Sequence, residues 1–218
     1  YQKGTQPHFS TMIQNYTTIA FRNLLKNGKY TVINLVGMTV GMASCFLILA
    51  YLRYEQNFDT FFPKGDRLYR IGYHADFAGE PLDLNRVPAP IGPAMHDFFP
   101  QVESVARLFP RSVSVRDPQS DRQFEIEGTL FADSTTQEVL GLEFLHGDPA
   151  TALDAPFSVV LNDETANRIF GTDQVMGRQL RVANEAIFTV TGVVRRLPRQ
   201  SHLEFDMLLP FRNIPDAE

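Results

Sequence analysis

The stretch YTVINLVGMTVGMASCFLILAYL, residues 30–52, contains no charged side chain and is followed directly by Arg53. An α-helix rises about 1.5 Å per residue, so a helix of this length crosses the roughly 30 Å hydrocarbon core of a bilayer. A single chain can cross there only as a helix, because lipid offers backbone groups no hydrogen-bond partner. The sequence therefore predicts a membrane-spanning helix over residues 30–52 and a water-exposed domain over residues 53–218.

Two other interpretations of this apolar stretch are weaker. The apolar region of a cleaved signal peptide usually has about 7–15 residues and ends at a small-residue cleavage site. This stretch is longer and leads into Leu52-Arg53-Tyr54, which favours a retained signal-anchor. The core helix of a soluble protein seldom stays uncharged over such a length. We therefore expect a membrane anchor.

The charges that flank the stretch predict its orientation. Arg22, Lys26 and Lys29 precede it, whereas the acidic residues Glu55 and Asp59 follow it closely. Cytoplasmic flanks of membrane helices carry an excess of Lys and Arg. We therefore expect the three basic residues at a cytoplasmic interface, the N-terminus in the cytoplasm, and the main domain outside the cytoplasm.

Residues 12–29 predict an amphipathic helix in front of the span. Polar and basic residues fall largely on the opposite face from a set of residues at helical spacing. That set is Ile13, Tyr16, Thr17, Ala20, Phe21, Leu24 and Leu25. Such a helix lies in the lipid headgroup plane, with a break at Asn27-Gly28; the alternative is that it simply begins the spanning helix. Residues 1–11 show no apolar period and are expected to be disordered or an extension.

Small residues line one face of the predicted span. Gly37, Gly41 and Cys45 are spaced four apart and therefore lie on one side of a helix, with Asn34 near the same side. Small residues allow a second helix to approach closely, and an asparagine there is able to hydrogen-bond across the contact. These four residues predict a helix–helix contact in the membrane.

The composition excludes one class of partner and one kind of covalent cross-link. The formal net charge is −5 and no basic patch is present, so we expect no nucleic-acid partner. Cys45 is the single cysteine and lies in the predicted span, so no disulfide forms within the exposed domain.

The exposed part predicts an α+β domain, since strand patterns outnumber helix patterns and the predicted helices are short. Strand patterns cover residues 67–77, 102–108, 112–116, 123–131, 157–161, 178–182, 186–194 and 205–209. A helix follows Pro90 with Phe98 and Phe99 among its inward residues. Two further helices are predicted, one capped by Asp133 and one capped by Asn162 or Asp163.

The sequence contains none of the common catalytic motifs. A phosphate-binding loop, a dinucleotide-binding turn, a nucleophile elbow and a zinc-binding His-Glu-x-x-His helix are all missing. The histidines are scattered. Ser201 and His202 are adjacent in an extended segment, so their side chains point to opposite faces and do not pair as nucleophile and base. We expect no enzyme activity, no catalytic residues, and no cofactor or metal site.

The basic cluster Arg195, Arg196 and Arg199 is interpreted as a solvated loop. The alternative that stays open is contact with a partner protein or a phospholipid headgroup.

Several segments resemble, in the same order, the N-terminal part of MacB/FtsX-type ABC transporter permeases. In that family an amphipathic helix leads into the first membrane helix, as residues 16–42 do in this sequence. The other similar segments are Asn57-Phe-Asp-Thr-Phe-Phe-Pro, Asp66-Arg-Leu-Tyr-Arg-Ile, Pro88-Ala-Pro-Ile-Gly-Pro-Ala-Met, Phe99-Pro-Gln-Val-Glu, Leu161-Asn-Asp-Glu-Thr-Ala-Asn-Arg-Ile-Phe-Gly, Met176-Gly-Arg-Gln-Leu, Phe188-Thr-Val-Thr-Gly-Val-Val, Leu197-Pro and Ser201-His202. Together they cover nearly all of residues 12–211.

The resemblance implies a permease subunit in the bacterial inner membrane, with its N-terminus in the cytoplasm and its main domain in the periplasm. That domain is a MacB-like periplasmic core domain, made of a porter-like part and a more β-rich part. The resemblance also implies a separate ABC ATPase subunit, and a homodimer or a paired permease, with a periplasmic protein partner left open. ATP-driven closure on the cytoplasmic side is expected to reach the periplasmic domain as movement, for efflux or mechanotransmission. It supplies no catalytic residues.

The sequence departs from that family in the number of membrane helices. Such permeases have four, and this sequence contains one apolar run long enough to span. The expectation is a fragment of a four-helix permease. The alternatives are a single-pass periplasmic sensor or scaffold and, less favoured, a membrane-anchored enzyme.

Overall fold

The computed structural model describes residues 9–77, 79–84, 86–183, 186–198 and 200–214. Contacts divide the chain into two units, Tyr1–Asn57 and Phe58–Glu218. The first is helical and the second is a mixed α and β domain, which confirms the predicted α+β class.

The first unit consists of helix α1, Phe9–Lys26, and helix α2, Gly28–Gln56. They meet at Asn27, whose φ of −104° and ψ of 41° are not helical. The break therefore lies at the predicted Asn27-Gly28. The hydroxyl of Thr31 donates to the carbonyl of Leu24 at 2.9 Å and ties the two helices together across it. Helix α1 begins before the predicted start at residue 12, and α2 continues beyond both ends of the charge-free stretch. Residues 1–8 of the predicted extension lie outside the described residues.

The second unit contains the strands and the shorter helices. Its strands among the described residues are β1 Tyr73–Phe77, β2 Glu80–Leu84, β3 Leu108–Pro110, β4 Val113–Arg116, β5 Gln123–Ile126, β6 Thr129–Ala132, β7 Phe144–Gly147, β8 Ser158–Asn162, β9 Gln179–Val182, β10 Ala186–Val194 and β11 Met207–Pro210. Its helices are α3 Ile91–Phe98, α4 Thr136–Leu140 and α5 Asp163–Phe170, with 3-10 turns at Gly65–Arg67 and Phe211–Asn213.

Nine of these strands form one mixed sheet. Its order is β3-β6-β11-β8-β10-β9-β4-β5, and β7 pairs with β10. Strands β8 and β10 run parallel, as do β6 and β11, whereas β8 and β11 are antiparallel. The remaining strands, β1 and β2, pair with each other as an antiparallel hairpin.

The sheet is buried on both faces at its centre. Every residue of β8 and of β11 is buried. Because side chains alternate along a strand, Val159 and Leu161 join one apolar cluster and Val160 joins the other. A strand buried on both faces has a near-continuous apolar sequence. The sequence shows such a run at residues 157–161, interrupted only by Ser158.

Strand β10 is the hub of the sheet, since it pairs with β7, β8 and β9. Its register shifts between Val190 and Gly192. A Cβ atom at Gly192 would lie 2.7 Å from Cε1 of Phe144, so only glycine lets this aromatic ring lie against the strand. The strand patterns at residues 178–182 and 186–194, separated by Asn184-Glu185, predict a hairpin, and β9 and β10 do pair antiparallel. Residues 184–185 lie outside the described residues.

Two predicted strands differ from the structure. Residues 123–131 form two strands, β5 and β6, at opposite sides of the sheet, because the chain turns at Glu127-Gly128. A Cβ atom at Gly128 would lie 2.9 Å from the amide nitrogen of Asp206, so this glycine permits close approach of two backbones. Residues 102–107 are not a strand; pairing begins at Leu108, and Pro110 is accommodated because β3 is an edge strand.

The predicted half-buried strand over residues 67–77 forms only from Tyr73 onward, and the predicted inward face of α3 is confirmed only in part. In α3, Ile91, Ala94 and Met95 are half-buried. Strand pairing begins only at Tyr73, and Tyr69 is 82% exposed. In the helix, Phe98 is 79% exposed and the following Phe99 is 49% exposed. Both patterns have the right period, but the strand pairs only in a two-stranded hairpin, outside the large sheet.

Helix capping was predicted correctly at one of two helices. Asn162 accepts a hydrogen bond from the amide of Thr165 at 2.7 Å, and Gly171 ends helix α5 with a left-handed φ of 75°. At α4, Gly141 ends the helix as predicted, but Asp133 does not cap it. Its carboxylate instead accepts two hydrogen bonds from the guanidinium of Arg107, each 2.8 Å long.

Candidate functional site

Helix α2 presents an uncovered apolar surface. It is the one helix among the described residues that is long and apolar enough to cross a membrane, judged by length and composition. None of its residues is buried within the chain. Large contiguous apolar surfaces are rare on soluble monomers, and such a surface is typical of a helix that lipid or another helix covers.

The predicted small-residue face lies on one continuous helix. Asn34, Gly37, Gly41 and Cys45 are all exposed within α2. A Cβ atom added at Gly37 or Gly41 would meet nothing within 4 Å, so the space beside them is open. Cys45 is a free thiol. Helix–helix contact on this face stays a prediction.

The three predicted interface cations lie around the junction of the two helices. Arg22 and Lys26 belong to α1, and Lys29 is the second residue of α2. All three are exposed, and none forms an ion pair with a carboxylate of the described residues. They are available to lipid phosphates or to a cytoplasmic protein, and their role at such an interface stays a prediction.

The exposed domain begins with a polar cluster that sequence reasoning did not find. We call it the Asp59 clamp; it comprises Asp59, Ser201 and His202. The hydroxyl of Ser201 donates to Oδ1 of Asp59 at 2.9 Å, and the amide of His202 donates to the same oxygen at 3.1 Å. Nδ1 of His202 lies 2.7 Å from Oδ2. One carboxylate thus holds two successive residues that are far away in sequence.

The clamp continues on both sides. The amide of Asp59 donates to the carbonyl of Gln200 at 3.0 Å. The hydroxyl of Ser201, which is 6% exposed, also accepts from the amide of Leu203 at 3.0 Å. The rings of Phe58 and His202 lie with their centroids 4.7 Å apart. Asp59 itself has a left-handed φ of 56°, which aspartate tolerates better than most residues.

The clamp keeps Asp59 ionised. Burial acts to raise the pKa of its carboxyl, but hydrogen bonds from the His202 ring, the Ser201 hydroxyl and the His202 amide outweigh burial and lower it. The arrangement is not a nucleophilic triad, because Ser201 and His202 both bind the carboxylate instead of each other. Ser201 and His202 therefore do not pair, as predicted. The predicted reason, side chains on opposite faces, is wrong, because both side chains reach the carboxylate of Asp59.

Apolar contacts hold the same part of the chain, residues 58–64, which we call the junction segment. Phe62 is 6% exposed and belongs to the apolar cluster that contains Leu140 and Leu208. Pro63 lies so close to Gly141 that a Cβ atom there would be 2.8 Å from the proline ring. The glycine that ends helix α4 therefore also makes room for the junction segment.

The basic cluster is neutralised where the structure describes it. Arg195 donates to the carboxylate of Glu143 at 2.8 Å, and Arg196 forms an ion pair with Glu164. The amide of Arg196 also donates to Asp163 at 2.9 Å. These pairings favour the solvated structural role over headgroup binding. Arg199 lies outside the described residues.

The part of the chain that the structure describes contains no group of three or more His, Cys, Asp or Glu side chains placed to hold a metal ion. Its histidines pair singly with carboxylates, namely His74 with Asp83, His96 with Asp97, His146 with Asp173 and His202 with Asp59.

Comparison with solved structures finds similar domains in transporter proteins. A domain of a permease protein from Porphyromonas gingivalis is 26% identical with a TM-score of 0.53, over 66% of this chain and 62% of that one. The periplasmic region of MacB from Actinobacillus actinomycetemcomitans is 16% identical with a TM-score of 0.47, over 59% and 57%. The extracellular domain of the noncanonic ABC-type transporter YknZ from Gram-positive bacteria is 16% identical with a TM-score of 0.46, over 58% and 63%.

This chain therefore spans about three fifths of the length of these solved relatives. No curated protein matches it significantly.

The family comparison covers most of the chain. The family model for the MacB-like periplasmic core domain matches residues 31–218, which include most of helix α2 and all of the exposed domain. That family is a component of transporter permeases and not a known class of enzyme. The resemblance to MacB-type permeases is thereby confirmed. This chain belongs to the family of MacB-like periplasmic core domain proteins.

Proposed function

We propose that this chain is the membrane subunit of an ABC transporter, in which ATP hydrolysis by a separate ATPase moves the periplasmic domain. The observation that carries the proposal is the extent of the family match, which begins at residue 31 inside helix α2 and continues through the whole domain. Helix α2 is apolar and none of its residues is buried by the rest of the chain, which supports a membrane location. The work done by the movement is efflux of a substrate or mechanical transmission to a periplasmic partner.

In this proposal the subunit works as a pair. A second copy or a related permease packs against Gly37 and Gly41 of α2, where the helix surface is open. The ATPase contacts the cytoplasmic end of the helices near Arg22, Lys26 and Lys29, since basic residues favour the cytoplasmic side. The domain from Phe58 onward then lies in the periplasm.

Purification from native membranes tests the proposal. The tagged protein is extracted in mild detergent, and its partners are identified by mass spectrometry. We expect an ATPase with a phosphate-binding loop to copurify, and ATP hydrolysis by the complex after reconstitution into nanodiscs. Recovery of the tagged protein without any ATPase would overturn the proposal and favour the single-pass sensor or scaffold.

Cysteine labelling tests the orientation independently. In a Cys45→Ser background, a single cysteine replaces Gln14 on helix α1 or Gln101 in the exposed domain, both of which are exposed. A membrane-impermeant maleimide added to spheroplasts should label position 101 and should label position 14 only after lysis. The reverse pattern would contradict the proposed orientation.

A further inference from the structure

We propose that the Asp59 clamp couples displacement of helix α2 to the sheet of the exposed domain, with Asp59 as the positioning residue. This inference rests on the proposed function, because it assigns a route to the movement that the ATPase drives. It starts from the observation that one carboxylate, at the start of the domain, binds two successive residues more than a hundred positions later in the chain.

The chain that connects helix α2 to the clamp is short. Helix α2 ends at Gln56, and the amide of Asn57 still bonds to the carbonyl of Tyr54 at 3.2 Å. Asp59 follows Gln56 by three residues, and each residue of extended chain covers at most about 3.6 Å. A larger displacement of the helix end must therefore pull on Asp59.

From the clamp, a short and firmly held segment leads into the middle of the sheet. Strand β11 starts at Met207, five residues after His202, and lies between β6 and β8. The side chain of Asn162 donates to the carbonyl of Phe205 at 2.9 Å, and the amide of Asp206 donates to the carbonyl of Gly128 at 2.6 Å. Force applied at Ser201 and His202 therefore enters a central strand and not an edge.

The apolar contacts of the junction segment stabilise its attachment to the domain, whereas the polar contacts fix its position. Phe62 and Pro63 bury apolar surface, which stabilises the attachment but is non-directional. The clamp consists of hydrogen bonds to an ionised carboxylate, which are directional and stronger than neutral ones. Burial keeps the segment on the domain, and the carboxylate fixes where it sits.

A simpler role for Asp59 is that of a turn residue, because its φ of 56° is left-handed. Asparagine adopts this conformation as readily, so Asp59→Asn keeps the turn while it removes the charge. Asp83→Asn is the matched control. Asp83 also binds a histidine ring, that of His74, but the pair lies within one hairpin and joins no distant segments.

Hydrogen exchange on the full chain in nanodiscs tests the clamp itself. In Asp59→Asn, and in Ser201→Ala as a second variant, we expect residues 200–205 to exchange about tenfold faster, as loss of a hydrogen bond to a charged group implies. Asp83→Asn should leave that segment at its normal rate. Unchanged exchange in both clamp variants would overturn the inference.

A spin-label measurement tests transmission in the reconstituted complex with the ATPase. Asp154, which is exposed, is replaced by a labelled cysteine in a Cys45→Ser background, and ATP-dependent distances between two copies are recorded. We expect Asp59→Asn to lose the ATP-dependent distance change while ATP hydrolysis continues, and Asp83→Asn to retain both. A normal distance change in Asp59→Asn would overturn the inference. If the protein without the Asp59 substitution shows no ATP-dependent change, the proposed function fails, and the transmitting role fails with it, whatever hydrogen exchange shows about the clamp.

Discussion

Helix α2 and strand β8 both come from mainly apolar sequence, yet their surroundings in the protein are opposite. No residue of α2 is buried by the chain, whereas all five residues of β8 are buried. Length separates the two cases: a run of about 20 residues matches a bilayer, and a run of about five matches a strand covered on both faces. Apolar composition therefore indicates that a segment avoids water. The length of the segment indicates whether lipid or the rest of the domain covers it.

A charge in the centre of the sheet should have the largest effect. Val160 is fully buried in β8, so Val160→Asp places an unpaired carboxylate in an apolar cluster. We expect the free energy of unfolding of the domain to fall by more than about 4 kcal/mol, a large share of the usual total. Thermal unfolding and protease resistance in detergent measure this loss. Ile187→Asp is the control, because Ile187 in β10 is 46% exposed and should tolerate the change.

The same charge in helix α2 should leave the domain folded and harm insertion instead. Val40 lies near the middle of the span and is exposed. An aspartate there costs about 3 kcal/mol of insertion free energy. Alkaline carbonate extraction should release more of Val40→Asp than of Val40→Leu, while protease resistance of the domain stays normal. If Val40→Asp instead destabilised the domain, and carbonate also released the unsubstituted protein, α2 would be a core helix.

Sequence reasoning succeeded where one local pattern carries the information. The break at Asn27-Gly28, the cap at Asn162 and the apolar run at β8 each depend on residues close together in the chain. The resemblance to the permease family likewise rests on contiguous segments. These features were predictable because neighbouring residues determine them.

The errors arose where distant parts of the chain compete for a residue. Asp133 has a good position to cap α4, but Arg107 takes its carboxylate. Residues 123–131 show one strand period, but Gly128 lies against the backbone of Asp206 and the strand divides.

The Asp59 clamp was missed for the same reason. Asp59 was interpreted only as a flanking negative charge, and Ser201 and His202 only as a rejected catalytic pair. Nothing near either segment indicates that the other lies beside it. A weak signal was available, since the family resemblance contains both Asn57-Phe-Asp and Ser201-His202, two polar motifs without any assigned chemistry.

Substitutions on the small-residue face of α2 test whether lipid alone covers this helix or a second helix packs there. Gly37→Leu with Gly41→Leu fills the open space on that face and should weaken association of two helices by on the order of 1 kcal/mol. Dimerisation in a membrane two-hybrid assay measures this effect, and the exposed domain should stay folded. Met38→Leu changes a different face of the helix and serves as the control. Unchanged association of the double variant would leave lipid as the cover of this face.

Acid should produce the smallest of these effects: it should lower the stability of the exposed domain and leave membrane retention of α2 unchanged. Asp117 is 3% exposed, and its carboxylate accepts hydrogen bonds from the hydroxyl of Ser120 at 2.7 Å and the amide of Gln119 at 3.0 Å. Burial acts to raise the pKa of this carboxyl, but these hydrogen bonds and the charge of Arg178 outweigh burial and lower it. A lowered pKa in the folded state means that the group stabilises the domain above its ordinary pKa, near 4, and that this stabilisation disappears as pH falls through the lowered value.

We therefore expect Asp117→Asn to be less stable than the original protein at pH 7, and the difference to shrink as the pH falls below about 4. Thermal unfolding of the domain between pH 7 and pH 3 measures it, with Asp154→Asn as the control for loss of an exposed carboxylate. Carbonate extraction of α2 after the same acid treatment should not change, because no acidic side chain lies between Gly28 and Tyr54. A stability difference for Asp117→Asn that stays constant across this pH range would show that the substituted amide disturbs packing and that the ionised carboxylate contributes nothing.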